Sequence, residues 1–131
     1  RRAADWSAQF VATRNLRLSY FGSSTGAGAA LQAAAGDARI AAVVSRGGRP
    51  DLAGIDALRS VRVPTLLIVG ALDGPVIDLN RAAAAAMRCE RQMVIVPGAG
   101  HLFEEPGALD HVVDLTTEWL LRFAGRPALE Q

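Results

Sequence analysis

The chain has 131 residues, half of them hydrophobic, enough for one domain with a real core; 14 basic against 13 acidic residues leave a net charge of +1. No basic stripe interleaved with aromatics argues for nucleic acid, and no apolar run approaches the roughly 20 residues of a membrane span. Cys89 is the only cysteine, so disulfides and thiolate metal clusters are excluded, and the absence of lysine removes Walker-type phosphate binding, Schiff-base chemistry and Tyr/Lys oxidoreductase mechanisms.

In chain order, Asp5 to Arg14 reads as a helix, with Trp6 and Phe10 four apart on one face. Leu16 to Phe21 reads as the first strand, followed by a small-residue helix from Thr25 to Ala35 that Gly36 closes. Arg39 to Ser45 is the second strand, Arg46 to Pro50 a turn, and Asp56 to Val61 a short helical stretch. Val63 to Gly70 is the third strand, and Pro75 opens a helix that runs through Ala82 to Ala86. Cys89, just past that helix, reads as an inert, half-buried thiol. Met93 to Val96 is the fourth strand. The last helix runs from about Pro106 to Phe123, with Leu109, Val112, Val113, Thr116, Trp119, Leu120 and Phe123 as its apolar face. Glu104 and Glu105 read as caps of that helix. The alternation of strand and helix predicts an α/β fold: a parallel sheet of about four strands with helices on both faces.

Three of these strands end in chemistry. After the first comes Gly22-Ser23-Ser24-Thr25-Gly26, the G-x-S-x-G pattern of a nucleophile elbow. A serine hydroxyl attacks well only if it stands clear of the backbone beside a base and oxyanion donors. A tight strand-to-helix turn presents Ser24 that way, and glycines two before and two after prevent clashes. The N–H of Thr25, at the helix start, is then aimed at the developing oxyanion. The third strand ends at Gly70-Ala71-Leu72-Asp73 and the fourth at Gly98-Ala99-Gly100-His101. Ser24, Asp73 and His101 thus share the strand edge where parallel sheets bind ligands, in the nucleophile, acid, base order of one class of hydrolase triads.

Each residue has a competitor. Ser23 is the neighbouring hydroxyl; Asp51, after the second strand, and Asp78, inside a helix, rival Asp73, which could also simply cap the helix at Pro75. The other histidine, His111, lies within the last helix. Arg46 and Arg49 flank a Gly-Gly turn beside the expected crevice, as solvated loop residues or as a site for a carboxylate or phosphate on the substrate. Gly22 to Gly28 also fits a G-x-x-x-G-x-G dinucleotide turn, but the second strand ends in Ser45-Arg46 rather than in the acid that would hold a ribose.

On these motifs the chain resembles the C-terminal half of a serine α/β-hydrolase of the dienelactone-hydrolase-like group. The resemblance covers nearly the whole chain and implies that the four strands are the family's fifth to eighth, with Ser24, Asp73 and His101 on the nucleophile, acid and base positions. It implies hydrolysis of esters or related small acyl substrates, with no cofactor and no metal. Dienelactone hydrolases proper carry cysteine at the elbow, so lactone specificity does not transfer to Ser24. The family's first four strands have no counterpart, and with them goes the loop that gives the second oxyanion donor. Residues 1–131 are therefore expected to form a single truncated catalytic domain; a non-catalytic fragment needing its N-terminal half is the competing expectation. An uncovered edge on the first strand would favour self-association. No signal peptide opens the sequence, so a cytoplasmic location is expected.

Overall fold

The computed structural model describes residues 8–11, 18–23, 26–35 and 40–123. One five-stranded sheet runs through them in the order β1 (Ala8–Val11), β2 (Leu18–Ser23), β3 (Ile40–Arg46), β4 (Thr65–Gly70) and β5 (Arg91–Val96). Strands β2 to β5 are mutually parallel, as the βα alternation requires, with Ser23 paired to Arg46 and Arg46 to Ile68 across their C-terminal ends. Between them lie α1 (Gly26–Ala34), a 3-10 turn at Pro50–Ala53, α2 (Ile55–Ser60) and α3 (Gly74–Ala86); α4 (Ala108–Phe123) follows β5. Among the described residues, no helix is long and apolar enough to cross a membrane.

The helices divide between the two faces, and the period-2 alternation of the strands supplies both cores. On one side Tyr20, Ile40 and Val43 pack with Leu31 of α1, Leu58 of α2 and Ala83 of α3. On the other, Val44, Leu66 and Ile68 pack with Phe103 and with Val112 and Trp119 of α4. Strands β3 and β4 are buried along nearly their whole length, which explains their continuous apolar runs. Cys89 falls in the first core, 9% exposed, with its Sγ 3.9 Å from Thr65 Oγ1. Burial pushes its thiol pKa up, so the inert reading holds.

Three expectations need correction. Ala8 to Val11 are not helical: they form a strand antiparallel to β2, with Gln9 opposite Phe21. The remainder of the expected Asp5–Arg14 helix lies outside the described residues. The Trp6/Phe10 spacing is a local signal, whereas the unpaired N–H and C=O groups along β2 are a tertiary demand that a Phe-Val segment can meet. The edge of β2 is consequently paired, and among the described residues the sheet ends on β1 and β5.

The second correction concerns α4, which begins at Ala108 and buries Ala108, Val112 and Trp119; Leu109 and Val113, assigned to its apolar face, are 49% and 53% exposed. The seam at spacing 4 and 7 is narrower than the apolar stripe read from the sequence. The third concerns Glu105, whose side chain does not cap α4 but turns back to the loop after β5.

Candidate active site

The flanks of the expected elbow are closely packed. A Cβ built on Gly22 would lie 2.7 Å from the Gly26 carbonyl oxygen and 2.8 Å from Ala27 Cα. The end of β2 and the start of α1 are therefore pressed together, which only glycine at position 22 allows. Ser24 and Thr25, the expected nucleophile and oxyanion donor, lie outside the described residues. Ser23 ends β2, half-buried and in register with Arg46.

Asp73 and His101 meet. His101 Nδ1 is 2.8 Å from Asp73 Oδ2, joining the ends of β4 and β5; the aspartate side chain is 14% exposed and the histidine 40%. Asp73 stands directly before α3, where an aspartate usually caps the helix with its side chain, yet it makes no such bond. Its carboxylate faces the imidazole instead. The two loops are also stitched by backbone: the Leu72 N–H donates to the Ala99 carbonyl at 2.9 Å, and the Ala71 N–H to Val96 at 2.9 Å.

The His101 loop is tightly constrained. Phe103 adopts a φ of 56°, a rare conformation for a bulky residue, while its side chain is almost wholly buried. Gly100 N–H donates to Glu105 Oε1 at 3.0 Å, and this bond, with one to its own backbone N–H, holds the Glu105 carboxyl below its ordinary pKa. From the other side, Gly47 (φ 54°) packs so closely that a Cβ there would lie 3.0 Å from the His101 carbonyl and 3.5 Å from its Nδ1. Gly47 is itself fixed by donating its N–H to Ile68 at 2.7 Å.

The remaining candidates separate cleanly. Arg49 grips Asp51 bidentately, Nε to Oδ1 at 3.0 Å and Nη2 to Oδ2 at 2.9 Å. That pair lowers the Asp51 pKa and raises that of Arg49, and it accounts for both charges without the imidazole. Asp78 is exposed on α3, and His111 is exposed on α4. The Arg46 guanidinium carbon lies 6.0 Å from the centre of the Phe103 ring, a cation–π distance. Among the described residues, no group of three or more histidine, cysteine or carboxylate side chains is placed to hold a metal.

Two supporting residues escaped the sequence reading. Glu105 was assigned to a helix end because carboxylates before Pro106 usually belong there. Asn80 of α3 is fully buried and donates to the Gly48 carbonyl at 3.1 Å and to Val76 at 2.8 Å, tying the Gly47–Gly48 turn to the helix. An asparagine three before a core alanine was the only available signal.

This architecture places the chain in the α/β-hydrolase class of folds. It is similar to the dienelactone hydrolase of Anabaena variabilis at TM-score 0.79 and 54% identity, over 81% of this chain and 49% of that one. An esterase domain from Rhodothermus marinus shares the fold at TM-score 0.70 and 19% identity, over 79% of this chain and 60% of that chain. Two Mycobacterium tuberculosis proteins, from strains CDC 1551 and H37Rv, are 56% identical over 118 residues; both are named, provisionally, phosphoribosyl transferases. That match takes 88% of this chain but 26% of theirs, so the chain spans about a quarter of these relatives and about half of the dienelactone hydrolase. No protein-family model matches the chain.

Proposed function

We propose that the chain carries the nucleophile, acid and base of a serine hydrolase acting on esters or related small acyl substrates. The observation that carries this reading is the 2.8 Å bond between His101 Nδ1 and Asp73 Oδ2 at the same sheet edge as the pinched Gly22/Gly26 turn. In this mechanism Ser24 attacks the acyl carbon while the other ring nitrogen of His101 takes its proton. Asp73 fixes the imidazole tautomer and steadies the imidazolium; His101 then returns the proton to the leaving group, and afterwards takes a proton from the water that attacks the acyl-enzyme and frees Ser24. The Thr25 N–H supplies half of the oxyanion hole. In this reading Arg46 is the substrate-binding cation rather than Arg49, whose guanidinium is held by Asp51.

The dienelactone hydrolase and esterase neighbours support hydrolysis of an acyl bond, and the aspartate-linked imidazole is the chemistry that reaction needs. The phosphoribosyl transferase name belongs to proteins roughly three and a half times as long, of which this chain matches about a quarter. A second reading, a hydrolase-like segment that needs further chain for catalysis, is favoured by the 49% coverage of the dienelactone hydrolase. One missing oxyanion donor alone costs about 10²–10³ in rate.

The test is hydrolysis of an activated acetyl ester by the whole encoded protein and its Ser24→Ala and His101→Ala variants. Turnover lost in both variants supports the catalytic reading. Turnover unchanged in either one contradicts it, as does a parent without turnover, whereas turnover by the whole protein that residues 1–131 alone lack favours the second reading.

A further inference from the structure

Two features of the His101 loop have no role in the chemistry just described: the left-handed Phe103 and the carboxylate of Glu105. A phenylalanine at φ 56° is strained and persists only where its surroundings over-determine it. Three pins do so here. The Phe103 ring is buried in the α4-side core, with the Phe103 N–H donating to Gly100 at 3.3 Å. The Leu72 N–H holds Ala99 against the Asp73 turn. Glu105 accepts the Gly100 N–H at 3.0 Å, and its own carbonyl accepts the Ala108 N–H at 2.9 Å in the first turn of α4. Glu105 therefore joins the residue before the histidine to the helix behind it. Two of the pins are backbone or core; Glu105 is the one that a side chain near the surface supplies.

We infer that Glu105 is a positioning residue: through the Gly100 N–H it holds His101 in register with Asp73. This inference rests on the hydrolase reading for its kinetic consequence but not for its structural one. Without an acceptor at 105, the Gly100 N–H loses its partner and the segment Gly100 to Leu102, with an imidazole 40% exposed, is held against β4 by the other two pins alone. Misplacement of a catalytic group by about 1 Å can cost on the order of 10²-fold in rate. The effect falls on kcat, because Glu105 acts on the base through the Gly100 N–H and not on the substrate.

The experiment compares Glu105→Gln, whose amide oxygen still accepts the Gly100 N–H, with Glu105→Met, of similar length and without an acceptor. Two readouts are taken on the whole encoded protein. The first is the far-downfield imidazole N–H proton of the His101–Asp73 bond, identified by its loss in Asp73→Asn; the second is kcat and KM on the activated acetyl ester. The Met variant should lose or broaden the resonance and lower kcat by about 10–100-fold with KM unchanged. The Gln variant should keep both, and circular dichroism should show both variants folded. A Met variant with parental resonance and kcat overturns the inference, as does a Gln variant impaired as much as Met. A parent with no ester turnover in which Met alone loses the resonance refutes the hydrolase reading and leaves the positioning role standing.

Discussion

At the residue scale, the structure separates three aspartates that the sequence left in competition. Asp73 faces His101, Asp51 faces Arg49, and Asp78 faces solvent. Asp73→Asn should therefore keep the fold and cut kcat by about 10³–10⁴-fold, because the amide favours the wrong histidine tautomer. Asp51→Asn should leave ester turnover within about twofold of the parent, a difference too small to reflect a lost catalytic contact. Parallel kinetics on the two variants check the ranking. Asp51 instead contributes to pH-dependent stability. Its folded pKa is depressed by Arg49, so the contribution is complete above the unfolded aspartate value of about 3.9 and fades as pH falls through the lower folded value. Denaturation midpoints of the parent and Asp51→Asn should differ most near neutrality and converge in acid. Both side chains are partly exposed, which keeps the difference small.

At the element scale, α4 and β1 show what a one-dimensional pattern misses. Leu109 and Val113 satisfy a helical apolar stripe, yet the helix turns Ala108, Val112 and Trp119 to the sheet. Trp119→Ala should cost about 3–5 kcal/mol in a denaturant titration. Val113→Thr, on the exposed side, should fall within about 0.5 kcal/mol of the parent. Equal costs would return Val113 to the core face. In β1, local spacing suggested a helix, and pairing with β2 made a strand. Removing β1 should reopen the edge of β2 and give concentration-dependent light scattering that the parent lacks.

At the scale of the whole molecule, the strands leading to the candidate site were legible because each apolar run is followed by a polar candidate, at Ser24, Asp73 and His101. Period-2 burial and βα alternation are local signals, and they placed β2 to β5 within two residues at most ends. The Asp73–His101 pairing followed because a parallel sheet brings the C-terminal ends of its strands together. What stayed hidden depends on contacts that periodicity does not encode: β1 on β2, Asn80 under the Gly48 turn, and Glu105 folded back on Gly100 five residues earlier. The Arg49–Asp51 pair lies only two residues apart, but an ion pair competes with a substrate site in ways that charge alone does not reveal.

The central claim is that the Asp73–His101 dyad activates Ser24, and covalent labelling tests it most directly. The whole encoded protein is treated with a fluorophosphonate, digested, and the modified peptide sequenced by mass spectrometry. The account predicts a single adduct on Ser24 that forms far more slowly in His101→Ala and Asp73→Asn. An adduct on another residue, or labelling of Ser24 at an unchanged rate in both variants, would contradict it.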